Sequence, residues 1–204
     1  MPVSRRKMVW TAAGAVSMLV ATLLTGWWRV DGPAAPQRQT RISALPLPFS
    51  EMDFQLTDHS GRKVGPEDWI GSPTLVFFGF TYCPDICPTT LSDITRWLEQ
   101  LGEDASRLHA VFITVDPQRD TVQAMAEYVR NFHPSIKGYT GPLDEIDKAA
   151  RAFRAKYERV PTENGYTMNH TAGVFVYDAD GIFAGVIDFH ESRDIAVPKI
   201  RQVL

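Results

Sequence analysis

Residues 74–94 read TLVFFGFTYCPDICPTTLSDI, and the reading of this stretch decides the fold. Its first seven residues are a continuous apolar run, too short for a helix and rich in Val and Phe, which is the pattern of a strand covered on both faces. Cys83 and Cys87 follow at once; they are the only two cysteines of the 204-residue chain. Downstream, Leu91, Ile94, Leu98 and Leu101 recur at helical spacing. Pro88 suits a first helical position and Gly102 a C-terminal stop. The pair is therefore expected in the loop and entry turn between a buried strand and its helix, with the positive end of the helix dipole directed at Cys87.

The alternation continues outward. HAVFITVD at 109–116 reads as a second strand, and 120–132 as a helix behind an Asp120 cap, with Val122, Met125, Val129 and Phe132 on one face. A third helix is expected over 143–157, facing Leu143, Ile146, Ala150 and Phe153 inward. Residues 171–189 read as two strands joined by Asp180-Gly181, and a short C-terminal helix closes the chain. DFQLTDHSGRKV at 53–64 reads as a small hairpin. Strand-helix-strand units with a late hairpin predict an α/β fold with a mixed central sheet flanked by helices.

Three regions are expected. Residues 1–30 hold Arg5, Arg6 and Lys7 followed by Val9 to Trp28, a 20-residue stretch without a charge. At about 1.5 Å per residue such a helix spans ~30 Å, enough to cross a bilayer. The preceding basic cluster keeps the N-terminus in the cytoplasm and sends the remainder across, which makes a single-pass inner-membrane protein with its domain on the periplasmic side. The competing reading is a cleaved signal, for which the stretch is long and lacks a good cleavage site. Residues 31–50 are rich in proline and read as an extended tether. Residues 51–204 form the folded domain, with 15 basic and 23 acidic residues and a net charge of −8, so nucleic acid is an unsuitable partner.

No glycine-rich phosphate loop and no nucleophile elbow is present, which leaves the chemistry to the thiols. Two chemistries stay open for Cys83 and Cys87: thiol-disulfide exchange, usually run by a pair with a two-residue spacer, and binding of a soft metal, for which two thiolates need a third partner. His170, read as lying just before a strand, is the candidate third partner; two thiolates and an imidazole suit Cu(I). His59, His109, His133 and His190 have no neighbour at ligand spacing. A peroxidase reading is disfavoured by Thr81, one residue too close to Cys83, and by the lack of an arginine assigned to the site.

FTYCPDICPTTLSDI, ITVDPQRDT and NHTAGVFVYDADG together resemble, in order and spacing, the SCO/SenC family of membrane-tethered copper chaperones, over roughly residues 45–204. The resemblance implies a thioredoxin-like fold and a copper site of Cys83, Cys87 and His170, for Cu(I) with Cu(II) left open. It also implies delivery of copper to, or maintenance of thiols in, the cytochrome c oxidase subunit that carries the CuA centre, with other periplasmic copper or thiol carriers as further partners. Asn169 departs from an aspartate found before the histidine in many members, which predicts altered tuning of the imidazole and an unchanged ligand set. Asp116, at a strand's carboxyl end, stays outside that set.

Overall fold

A computed structural model describes residue 18 and residues 20–25, 45–163 and 165–204 of the chain. Residues 18 and 20–25 are helical. Among the described residues no helix is long and apolar enough to cross a membrane. Most of the expected Val9–Trp28 span, and residues 31–44 of the expected tether, lie outside the described residues. The chain divides into two units, residues 1–44 and 45–204.

The second unit is built on a seven-stranded sheet in the order β2-β1-β5-β4-β3-β8-β9. In its interior, between β4 and β8, lies β3 (Thr74–Gly79), every residue of which is buried. It runs parallel to β4 (His109–Thr114), which runs parallel to β5 (Ile136–Thr140). On the other side β3 pairs antiparallel with β8 (Val174–Tyr177), and β8 with β9 (Phe183–Ile187). β1 (Leu56–Asp58) and β2 (Lys63–Val64) form the expected hairpin and add antiparallel to β5. The helices α1 (Ile86–Leu101), α2 (Val122–Val129), α3 (Leu143–Ala152) and α4 (Arg193–Arg201) complete the α/β arrangement. This is the mixed central sheet with flanking helices that the strand-helix alternation predicts.

Local chemistry moves several boundaries. α1 begins two residues before Pro88, so Cys87 lies within its first turn. A proline is tolerated there because the first N–H groups of a helix have no partner inside it. Leu91, Ile94, Leu98 and Leu101 are buried as expected, and Gly102 ends the helix at φ +61°, a conformation that suits glycine. α2 is capped by Thr121, whose side chain accepts from the Ala124 N–H, and not by Asp120. The Asp120 carboxylate is occupied elsewhere.

α3 stops at Ala152, five residues short of the expected end, and Leu143 at its start is exposed. Phe153 is fully buried among Phe49, Phe78, Phe175 and Tyr177, and after it Arg154 takes φ +57°, which turns the chain out of the helix. The chain then forms an unforeseen hairpin, β6 (Tyr157–Thr162) and β7 (Gly165–His170), with its own ladder separate from the main sheet. β5 was also unforeseen; it is short, and glycine and lysine interrupt its apolar pattern.

Asp120 is fully buried. Its carboxylate accepts from the Thr81 N–H (3.0 Å), the Thr81 hydroxyl (2.6 Å) and the Thr114 hydroxyl, while its main-chain carbonyl accepts from the Thr140 hydroxyl (2.7 Å). One residue thus ties together the carboxyl ends of β3, β4 and β5. Replacing Asp120 by Ala strands a buried N–H and two hydroxyls, each costing about 1–3 kcal/mol when unpaired. Urea unfolding of Asp120→Ala is expected to show a loss of at least ~3 kcal/mol; a loss under about 1 kcal/mol would show that the clamp is dispensable.

Candidate metal centre

The carboxyl end of β3 delivers the cysteines to one place. In open α/β sheets this edge is where ligands meet the fold. Gly79 closes the strand, and a β-carbon there would lie 2.8 Å from Cys87 Sγ and 2.8 Å from the Phe112 ring. The missing side chain is what gives the buried Cys87 sulfur its seat. Cys83, half-buried in the loop, sits one turn before it.

The Cys87 N–H, near the start of α1, donates to Cys83 Sγ at 3.3 Å. The helix N-terminus therefore serves Cys83, and not Cys87 as the spacing had predicted. A hydrogen bond from the Cys87 thiol holds the Cys83 thiol at about 4; burial opposes this, and His170 and the backbone N–H groups of Cys87 and Asp85 reinforce it. The same bond to Cys83, together with burial, pushes the Cys87 thiol up. The reduced pair is one thiolate and one thiol.

His170 is the last residue of β7, four residues before β8 begins, and not directly at a strand's start. Its Nδ1 lies 3.0 Å from the Thr171 carbonyl oxygen. A carbonyl can only accept, so Nδ1 carries a proton and Nε2 is the nitrogen turned toward the sulfurs. Nε2 lies 3.3 Å from Cys87 Sγ. The rings of Phe77 and Phe80 both meet the imidazole edge-to-face at 5.9 Å, which fixes its plane. Asn169 is exposed and stands opposite Glu158 across the hairpin, and the hydrogen-bond partner of the imidazole Nδ1 is the Thr171 backbone carbonyl.

Cys83 Sγ, Cys87 Sγ and one His170 nitrogen all lie within 4.8 Å of one another, the one such cluster among the described residues. Three donors bonded at about 2.0–2.3 Å to a common ion would stand roughly 3.5–4 Å apart, so only a small closure is needed. Two sulfurs and one imidazole are a soft donor set. A cavity of about 370 Å³ opens onto it, lined by Phe80, Cys83, Asp85, Met168 and His170 among others. Met168 is largely buried and packs beside the site. His59 and His133 accept backbone N–H bonds from Gly138 and Ser135, and neither these nor His109 and His190 join a cluster.

Residues 46–204 match the model of the SCO1/SenC family. The chain belongs to the SCO1/SenC family. A curated relative, the mitochondrial SCO2 homolog of Danio rerio, is 39% identical over 184 residues, 84% of this chain and 65% of that protein's length. The copper-bound structure of ScoI from Bradyrhizobium japonicum superposes with a TM-score of 0.71 at 38% identity, covering 78% of this chain and 99% of that one. Copper-bound yeast Sco1 does so at 0.68 and 31% identity, over 78% and 87%. The thioredoxin-like architecture implied by the motifs of this SCO1/SenC chain is thus shared with solved Sco structures.

Sequence reasoning missed two residues of the SCO1/SenC centre's surroundings. Asp120, taken for a helix cap, anchors Thr81 below the cysteine loop. Arg119, assigned to nothing, lies over the Tyr82 ring at 4.8 Å from its centroid. The VDPQRD motif holds both, but their partners are distant in sequence.

With its thiol held at about 4, Cys83 is expected to react as a thiolate at a rate that depends little on pH until that value is approached. Iodoacetamide is expected to alkylate Cys83 of the reduced protein at pH 6 nearly as fast as at pH 8, with the rate falling toward pH 4 and Cys87 unmodified. A rate that drops about tenfold per unit between pH 8 and 6 would mean an ordinary thiol.

Proposed function

We propose that this SCO1/SenC chain is a copper-binding chaperone, anchored in the inner membrane through Val9–Trp28, that delivers copper to the CuA site during assembly of cytochrome c oxidase. The observation that carries the reading is the convergence of Cys83, Cys87 and His170 from two separate parts of the chain onto one soft donor set. Relatives solved with copper bound support it. The resemblance of the motifs to this family is what supports the oxidase subunit as the partner.

The chemistry follows from the residues. The Cys83 thiol is held at about 4 before any metal arrives, Nε2 of His170 faces the sulfurs, and Cys87 can surrender its proton to become the second thiolate. Cu(I) is the cargo that a low-coordinate site of this softness favours. One sulfur is half-buried and opens on the cavity, which gives an acceptor's ligands an approach. Release of Cu(I) can then proceed by stepwise ligand exchange.

A second reading, thiol-disulfide exchange with the cysteines of a copper-site partner, is favoured by one observation: a thiolate held at about 4 beside a protonated thiol, the arrangement of an attacking and a resolving sulfur. In that step Cys83 attacks the partner's disulfide and expels one partner thiolate; Cys87 then attacks the mixed disulfide and releases the second. The pair ends oxidised and the partner reduced. Against it stands His170, which exchange does not need. The peroxidase reading has no support, since Thr81 is committed to Asp120 and Arg119 to Asp116.

Titration of the reduced full-length protein in detergent with Cu(I) against a competing chelator is expected to give one tightly held ion. Cys83→Ala and Cys87→Ala should abolish competition, and His170→Ala should weaken it by about 10- to 100-fold or more. Binding indifferent to His170 would shift the assignment to disulfide exchange. The protein extracted from membranes is expected to retain its first 30 residues by intact mass, whereas a mass lacking them would show a cleaved signal.

A further inference from the structure

The cysteines and the histidine of the centre come from two bodies with no shared ladder. Cys83 and Cys87 hang from the main sheet, while His170 ends a two-stranded hairpin that has no backbone pairing with that sheet among the described residues. Side-chain contacts therefore hold the hairpin against the sheet. Arg119 is one of the residues that touch both, beside Asp116, Phe77 and Phe80.

Its guanidinium Nε donates to the carboxylate of Asp116, a residue only 2% exposed at the end of β4. Nη1 donates to the main-chain carbonyl of Tyr166 in β7 at 3.2 Å. The same guanidinium lies 3.9 Å from the centroid of the Tyr166 ring and 4.8 Å from that of Tyr82, with Phe80 at 5.8 Å. Tyr166 is four residues before His170, and Tyr82 directly precedes Cys83. The Tyr166 hydroxyl closes the set by donating to Asp116 at 3.0 Å, and Arg159 lies 3.8 Å from the same ring. Nη2 of Arg119 is buried without a hydrogen-bond acceptor, so the aromatic rings take the place of solvent around that part of the cation.

A planar cation is needed for this arrangement. Arginine can pair with a carboxylate, bond a carbonyl and stack on two rings at once, which a lysine ammonium on a flexible stem cannot do. We propose that Arg119 is a positioning residue that docks the β6–β7 hairpin on the cysteine loop, so that the His170 imidazole stands ready beside the two sulfurs. Arg119 touches none of the three donors. Its effect on a bound ion passes through His170.

This rests on the copper-binding reading, and a double-mutant cycle separates the two. Cu(I) affinity is measured by chelator competition on the reduced full-length protein, as wild type, Arg119→Ala, His170→Ala and the double variant. The expected result is a loss of about 10- to 100-fold for Arg119→Ala in the wild-type background and of less than about twofold when His170 is already absent. Arg119→Lys should stay weakened, since it retains the charge and loses the stack. Equal losses in both backgrounds, or full rescue by lysine, would overturn the assignment.

A metal-free measurement stands beside this. Amide hydrogen exchange of reduced Arg119→Ala is expected to quicken in β6 and β7 while β3, β4 and β5 keep their protection. Uniform quickening would make Arg119 merely structural and refute the proposal. Should Arg119→Ala fail to fold, Tyr166→Leu removes the stack from the hairpin side and must give the same pattern in both measurements. A wild-type protein that fails to hold Cu(I) refutes the copper reading, and the exchange data then judge the docking role by themselves.

Discussion

The centre depends on a buried carboxylate that no solvent reaches. Asp120 accepts three bonds from Thr81 and Thr114, and its carbonyl takes a fourth from Thr140. Burial of a carboxylate is costly unless each lone pair is met, and burial pushes Asp120 up even with these donors in place. The arrangement persists because it joins three parallel strands at the edge where the cysteine loop departs. Thr81 is two residues from Cys83, so the loop's first residue is fixed by a side chain of the strand-helix connection on the neighbouring strand. The reactive loop is short, framed by prolines, and pinned before it begins.

Much of this was legible in the order of residues. TLVFFGF could be read as a central strand because a strand buried on both faces needs no alternation, and β3 is buried throughout. The apolar face of α1 and the Asp180-Gly181 turn were equally open to reading, because period and turn chemistry are local properties. The β6–β7 hairpin was not. β6 is mostly exposed and interrupted by Pro161, β7 is only partly buried, and the hairpin's place depends on contacts such as Arg119 with Tyr166, 47 residues apart. Asp120 looked like a helix cap because its true partner Thr81 lies 39 residues upstream.

The centre itself was legible in composition and not in electrostatics. Two cysteines and a histidine could be named from the motifs, but spacing placed the helix N-terminus at the wrong sulfur. The bond from the Cys87 N–H to Cys83 reverses that assignment: the residue inside the helix lends its backbone donor to the residue outside it. Asn169 lines the same cavity as His170, but no hydrogen bond joins it to the imidazole among the described residues. The carbonyl of Thr171 does the orienting.

The asymmetry of the two thiols also explains how a cation fits this pocket. The hydrogen bond to Cys83 and burial push the Cys87 thiol up, and the negative charge of Cys83 adds to this, since two neighbouring thiolates in a partly buried site repel each other. A monovalent soft cation between the sulfurs removes the repulsion, so the second proton leaves only when the ion arrives. Exchange with a partner's disulfide reaches a neutral pair by another route: the Cys83 charge and the Cys87 proton both leave as the partner is reduced. The geometry that favours capture of a soft ion is for this reason also a geometry that favours exchange, and His170 is the group that distinguishes them. An imidazole held by a backbone bond and by two phenylalanine rings would add a ligand to the first chemistry and nothing to the second.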